Sequence, residues 1–248
     1  MAYNDLSLDG VSLRSITHNV EVVSSGIGFP GRTGENIIIP YQDGSRFIKK
    51  SLRERTISLV MWVATNNLDS LFQLFGREGL RTLSRVVHDG SIRTIQCECL
   101  NPISIPSNAG VSYFTVDLLC PDPHWYGATK QQDIPLTLAS HNVTLNNAGT
   151  AASRRAVLTV AGLVDGIKVE NTTTGTWVHY DGDVGGGTLI INCAAWAATL
   201  DGDNRVGLIS HAGDPSFLVI APGDNSLVIT CTAVPAGSLG IVFPVPYY

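Results

Sequence analysis

Five cations, Arg46, Lys49, Lys50, Arg53 and Arg55, fall within ten residues and are opposed there only by Glu54. Two readings are open: a solvated loop, or an electrostatic contact with an acidic partner surface or a neighbouring subunit. Trp177 and Trp196 can stack on a sugar ring or fill a β core. Cys97 and Cys99 stand two apart, which places both on one face of a strand. The C-x(2–4)-C spacing and second ligand pair of a zinc site are missing. The odd count of five cysteines (with Cys120, Cys193 and Cys231) fits reduced structural thiols. Six histidines (His18, His88, His124, His141, His179 and His211) never pair at i, i+4, which leaves only a metal site assembled in three dimensions.

Asp181, Asp183, Asp201 and Asp203 offer carboxylates for acid–base work or calcium. Yet Asp201-Gly-Asp-Asn204 lacks the EF-hand spacing and its closing Glu, and Asp-Gly is first of all a turn former. Gly185-Gly-Gly187 has no Lys-Ser/Thr sequel and precedes an expected strand, so it reads as a hairpin loop rather than a phosphate cradle. Asn142-Val-Thr144 and Asn171-Thr-Thr173 match the glycosylation pattern and read as ordinary turns. There is no G-x-S-x-G elbow, and a glycosidase-like carboxylate pair is neither indicated nor excluded. The expectation is a non-enzyme without metal or cofactor.

The elements that must hold these residues are mostly strands. Residues 11–23 read as one β-branched strand through Val11, Leu13, Ile16, Val20 and Val22, followed by a Gly/Pro-rich loop from Gly26 to Gly34. Residues 55–63 alternate cleanly, with Ile57, Leu59, Met61 and Val63 on one face. Leu68, Leu71, Phe72 and Phe75 then recur at helical spacing behind a Thr65-Asn66-Asn67 cap and ahead of Gly76, predicting an amphipathic helix of about three turns. His88-Asp89-Gly90-Ser91 predicts a hairpin joining 84–87 to 92–100. Residues 113–120 form another strand, and Pro121 and Pro123 should stop the sheet. The second half is expected to hold short strands at 134–138, 142–146, 156–160, 167–171, 176–180, 188–192, 206–209, 217–220, 226–231 and 239–244, the pattern of an antiparallel sandwich.

The 248 residues are 44% hydrophobic and 15% charged with net charge -5, a composition that excludes disorder and argues against a general nucleic-acid binder. Residues 1–120 balance 11 Lys/Arg against 11 Asp/Glu, whereas 121–248 carry 5 against 10. That asymmetry and the proline stop place a domain boundary at about 121–133, giving domains 1–125 and 126–248. No run is long and apolar enough to span a bilayer, and the N-terminal residues lack the pattern of a signal peptide.

The series GFPGRTGE, RERTISLVMWV, NNLDSLFQLF and YFTVDLLCPDPHWYG resembles the ring-forming (belt) domain of siphophage distal tail proteins. LNNAGTAASRRAVLTVAG, ENTTTGTWVHYDGDVGGGTLIIN, LDGDN and DPSFLVIAPGDNSLVIT look like that family's galectin-like second domain, with the turn motif Pro222, Gly223, Asn225 the most specific piece. The resemblance implies a mainly β protein: an N-terminal split β-barrel or sheet domain with one helix, then a C-terminal antiparallel galectin-like β-sandwich. It also implies a structural virion protein made in the host bacterial cytoplasm. Its place would be a ring, of six subunits in the family, at the distal end of a long non-contractile tail. Its partners would be tail tube, tape measure, tail hub and receptor-binding or adhesion proteins, with DNA passing the lumen unbound. The alternative is a carbohydrate-binding β-sandwich of a surface adhesin or baseplate. The loops are short, so no inserted sugar-binding module is expected.

Overall fold

The structure, a computed structural model, describes residues 5–17, 19–22, 30–33, 37–38, 45–46, 51–106, 110–212 and 217–248. The protein is mainly β with antiparallel pairing, and the described residues hold a single α-helix. It divides into two compact units, residues 1–126 with Tyr248, and residues 127–247.

In the first unit four strands lie in the order Asn19–Val22, Arg55–Ala64, Val111–Cys120, Ile92–Pro106. The strict alternation of Arg55–Ala64 buries Ile57, Leu59, Met61 and Val63, as period-two pleating requires. Ile92–Pro106 serves two partners. Ile92 to Cys97 pair with Val86 to Arg81, and Glu98 to Pro106 pair with Leu119 to Ser112. A bulge between Leu100 and Ile103, with Asn101 at φ 48, turns the strand between them. The helix spans Leu68–Phe75 behind a 3-10 turn, Thr65–Asn67. It is shorter than the sequence predicts, and it buries Leu71, Leu74 and Phe75 while Phe72 stays partly open. Asn67 makes no side-chain cap; its amide donates to Ile16 O at 3.3 Å instead. Residues 11–22 are not one strand. Val11–Ser12 is followed by a 3-10 turn, Leu13–Ser15, before pairing resumes at Asn19, because the apolar spacing 11, 13, 16, 20, 22 breaks strict alternation.

Asp9 and Gly10, with φ 48 and 82, close the tight turn from Leu6–Leu8 to Val11–Ser12. The buried Arg81 donates Nε to Asp9 and Nη1 to Leu74 O at 2.8 Å, and Thr82 N donates to Asp9 Oδ1 at 2.8 Å. Burial alone would raise the Asp9 pKa, but the Thr82 N–H and the Arg81 guanidinium outweigh it and hold the carboxyl below its ordinary value. Its contribution is therefore complete above the unfolded carboxylate pKa, about 4, and lost as pH falls through the lowered native value. Urea midpoints at pH 7, 5 and 3 should show Asp9→Asn less stable than wild type at pH 7, with the gap closing toward pH 3. A gap independent of pH would mean that the carboxylate charge contributes nothing.

The second unit is a sandwich of two sheets. One runs Trp125–Leu136, Ala236–Tyr247, Val157–Leu163, Thr188–Asn192, Ala197–Leu200, Asp203–Asn204; the other runs Ser140–Asn147, Gly223–Thr230, Asp165–Asn171, Thr176–Asp183, Ile209–His211. Leu136, Leu158, Val160 and Ile241 of the first sheet and Leu145, Val169, Val178 and Ile229 of the second share one buried core. Four sequence expectations need correction. Trp125–Leu136 is one long strand where the sequence predicts only 134–138, because the prolines interrupt pairing only at 121–124. Val206–Leu208 is a 3-10 turn, and Phe217–Ile220 carries only an isolated bridge from Ile220 to Ser153. Gly185-Gly-Gly187 is no hairpin: it joins Thr176–Asp183 to Thr188–Asn192, which belong to different sheets. The strand Ala197–Leu200 was hidden by its Ala-rich sequence.

Candidate functional site

The run of cations between 46 and 55 does not form one patch. Lys49 and Lys50 lie outside the described residues, and Arg46 ends a two-residue strand, Ser45–Arg46, facing Ile37–Ile38. Arg53 is exposed, its N–H donating to Gly31 O at 2.8 Å. Arg55 is buried at 3% exposure. It opens the strand in phase with Ile57 and Leu59, so the pleat carries it inward. A charge-reversing change there would test folding rather than a surface contact.

Arg55 belongs to a different group. Arg85 and Arg93 are direct cross-strand partners in the hairpin around His88 to Ser91, in phase with the buried Leu83 and Ile95. The Arg85 guanidinium carbon stands 4.3 Å from the ring centroid of Trp125, which is fully buried, a cation–π distance. Burial first, then the positive fields of Arg93 and Arg55, lower the Arg85 pKa to about 10. Burial also lowers Arg55, against the opposing fields of Cys120 and Asp122. The Asp122 carboxylate is engaged by the His124 N–H at 3.0 Å, by His124 Nδ1 at 2.9 Å and by the Tyr126 hydroxyl at 2.7 Å. Nothing in the charge run pointed to Arg85 and Arg93. The readable signal was that both lie in inward phase, four residues to either side of Asp89.

The other side of the four-stranded sheet is apolar and open. Ile105, Tyr113, Trp62 and Asn19 form one cross-strand row, and Ile103, Thr115, Val60 and Glu21 the next. Ile103, Ile105 and Tyr113 are 53%, 54% and 40% exposed. Trp62 and Tyr113 meet edge to face at 5.6 Å. A contiguous apolar patch of this kind marks an interaction surface rather than scattered exposure.

In the sandwich the turn motif is held by buried amides. Gly223, φ 84, begins its strand, and Asn225, two residues in, is fully buried. Asn225 Oδ1 accepts from Ala221 N at 2.8 Å and Asn171 Nδ2 at 2.9 Å, while Nδ2 donates to Ala221 O, Gly223 O and Leu145 O. Asn171 Nδ2 also donates to Val219 O at 2.7 Å, and Asn147 Nδ2 to Ile220 O at 3.2 Å. These side chains replace the sheet pairing that 217–220 lacks. Asn171 is thus a core residue, closed to glycosylation.

The remaining candidates disperse. Trp177 is half-buried, with Lys168 Nζ 5.1 Å from its ring centroid. Trp196 stands in a turn at φ 54, its ring meeting His211 and Phe217. Asp183 Oδ1 accepts from Gly185 N, and Asp201 Oδ1 from Thr188 N, both at 2.8 Å, so these acids brace turns. His141 Nε2 accepts from the N–H groups of Thr137 and Leu138, and His18 lies outside the described residues. Among the described residues no three His, Cys, Asp or Glu side chains converge as a metal site. All five cysteines are free, and burial pushes the Cys120 and Cys193 thiols up to about 12, the reverse of a nucleophile's environment. No helix among the described residues is long and apolar enough to cross a membrane.

No protein-family model and no curated protein matches the chain. Among solved structures, the fold matches that of the SPP1 Dit protein (gp 19.1), described as a paradigm of the hub adsorption apparatus in phages infecting Gram-positive bacteria. The TM-score is 0.73 at 15% identity, over 98% of this chain and 99% of that one. Chains of the phage P2 baseplate in its activated conformation, with calcium and with strontium, align at TM-scores of 0.45 and 0.44. Each is 7% identical over 96% of this chain and 90% of theirs.

Proposed function

We propose that this protein is a distal tail protein, a structural subunit at the tip of a long non-contractile phage tail. The observation that carries the reading is the end-to-end fold likeness to the SPP1 hub protein. It agrees with the ordered sequence resemblance and with a site inventory that offers area in place of chemistry. In this reading the residues 1–126 unit builds a closed ring, the six-fold ring of the resembled family, through heterologous contacts. The apolar face around Ile105 and Tyr113 supplies the subunit contact. The ring joins the tail tube and tape measure above to the hub and adhesion proteins below, DNA passes its lumen unbound, and no catalytic step is required. The assembled protein belongs to the virion after synthesis in the host cytoplasm.

Negative-stain electron microscopy of the purified protein across a concentration series tests this. Closed rings with a central channel are expected, and counting subunits checks the six. Monomers at every concentration, with and without purified tail tube protein as template, would overturn the ring.

A further inference from the structure

Four short strands between Gly31 and Arg53 pair with one another and, among the described residues, join neither main sheet. The Arg53 N–H donates to Gly31 O at 2.8 Å, Arg32–Thr33 pairs with Ser51–Leu52, and Ile37–Ile38 pairs with Ser45–Arg46. These pairings nest as in one long hairpin, and seven residues from its base to the pair of Ile38 with Ser45 span about 23 Å. A two-stranded ribbon is marginal by itself and needs further strands or a surface to pack on. The composition of this arm suits such a surface. It holds Ile37, Ile38, Phe47 and Ile48, and its cations Arg32, Arg46, Lys49, Lys50 and Arg53 are opposed only by Glu35 and Asp43.

The open sheet face has the complementary character. Beyond the rows of Ile105 and Ile103, the register adds Leu100, Asp117 and Ser58, then Glu98, Leu119 and Thr56. With Glu21 beside Val60, the four rows hold carboxylates at 21, 98 and 117 and no Lys or Arg. The six residues from Thr56 to Trp62 give the face a length of about 20 Å, close to that of the arm. Within one chain the face stays open, Ile103 and Ile105 being more than half exposed.

We infer that the 31–53 arm of one copy lies across this face of a second copy, its apolar side chains on Ile103, Ile105 and Tyr113 and its cations beside Glu21, Asp117 and Glu98. The inference rests on the reading of this face as the subunit contact and supplies the other half of that contact. A heterologous contact needs two different surfaces on every subunit, and arm and face are two such surfaces of opposite charge. The same charges disfavour pairing face to face, which would set carboxylates against carboxylates.

The test reverses charge on each side in the full-length protein. Arg46→Glu with Arg53→Glu makes an arm variant; Glu21→Lys with Glu98→Lys makes a face variant. Arg53, Glu21 and Glu98 are exposed, so the urea midpoints should match wild type. By sedimentation velocity each variant alone should associate about tenfold or more weakly than wild type, because like charges then oppose each other. Mixed one to one, the two should recover association to within about threefold of wild type, since wild-type arms meet wild-type faces and reversed arms meet reversed faces. A chain carrying all four substitutions should recover it as well. Arg53→Gln and Glu98→Gln, which each neutralise one charge, should weaken association by smaller factors. Association that both reversed variants keep, while Ile105→Glu with Tyr113→Glu abolishes it, overturns the arm and leaves the ring contact standing. Loss in each variant without recovery on mixing also overturns the arm, since the two surfaces then do not meet. Wild type that stays monomeric with and without tail tube protein overturns the ring reading, and the arm with it.

Discussion

Asn225→Ala is expected to destabilise the sandwich by about 3–4 kcal/mol, a fall of roughly 10 °C in its melting temperature. The side chain is fully buried and takes part in five hydrogen bonds, to Ala221 N, Ala221 O, Gly223 O, Leu145 O and Asn171 Nδ2. Alanine leaves the carbonyls and N–H group around Ala221 to Gly223 without that partner, and unpaired buried groups cost more than a lost surface bond. The same deletion frees 217–220, because Asn171, which ties Val219, is itself oriented by Asn225. Asn225→Asp removes the donors and buries a carboxylate, so it should be at least as damaging at pH 7. Asn146→Ala is the control: its bond, to Asp224, lies on the exposed side of the neighbouring strand, and its cost should stay near 0.5 kcal/mol. Urea unfolding, with hydrogen exchange followed at 217–220, measures all three. A loss under 1 kcal/mol for Asn225→Ala would show that another group takes over its bonds and that the turn does not depend on it.

Ile105→Glu combined with Tyr113→Glu should abolish self-association while leaving the monomer's unfolding free energy within about 1 kcal/mol of wild type. Both side chains are already open to solvent in the isolated chain, so exposed carboxylates there cost the fold little. In an interface they would be desolvated without a partner, and apolar anchors of this kind commonly contribute 2 kcal/mol or more each, about 30-fold in Kd. Val234→Glu is the matched control. It also changes an exposed aliphatic residue, at 73% exposure, but one in a turn of the sandwich rather than on the sheet face. Sedimentation velocity across a concentration series separates the outcomes. Association unchanged in the double variant would exclude this face as the subunit contact, whatever the electron microscopy of wild type gives.

Where one physical rule acted alone, the residues were legible without a structure. Strict alternation placed Ile57, Leu59, Met61 and Val63 in a core. The Asp89-Gly90 pair set the hairpin, with Gly90 at φ 79. Helical spacing located Leu68–Phe75, although the buried face includes Leu74, while Phe72 stays partly open with its ring 5.3 Å from that of Phe114. The expected strand at 217–220 failed for the opposite reason. Its apolar side chains were recognised as buried, but nothing in their pattern says that the segment is held by asparagine amides instead of a neighbouring strand.

Polar residues in the core-facing phase were the signal left unused. Asn147 follows Leu145 by two, Asn171 follows Val169, Asn225 precedes Leu227, and Arg55 precedes Ile57; each occupies an inward position of its strand. A charge run invites a surface reading, so Arg55 was grouped with Arg53, its neighbour in sequence, instead of Arg85 and Arg93, its neighbours in space. By itself the sequence determined the β class, the strand phases and the turns, since sterics and apolar periodicity act over a few residues. Only the tertiary structure decided which sheet each strand joined, that the Gly185–Gly187 run crosses between sheets, and that Arg85 packs on the ring of Trp125. Those outcomes depend on strand register between segments tens of residues apart, where the free energy lies in pairings that no local pattern encodes.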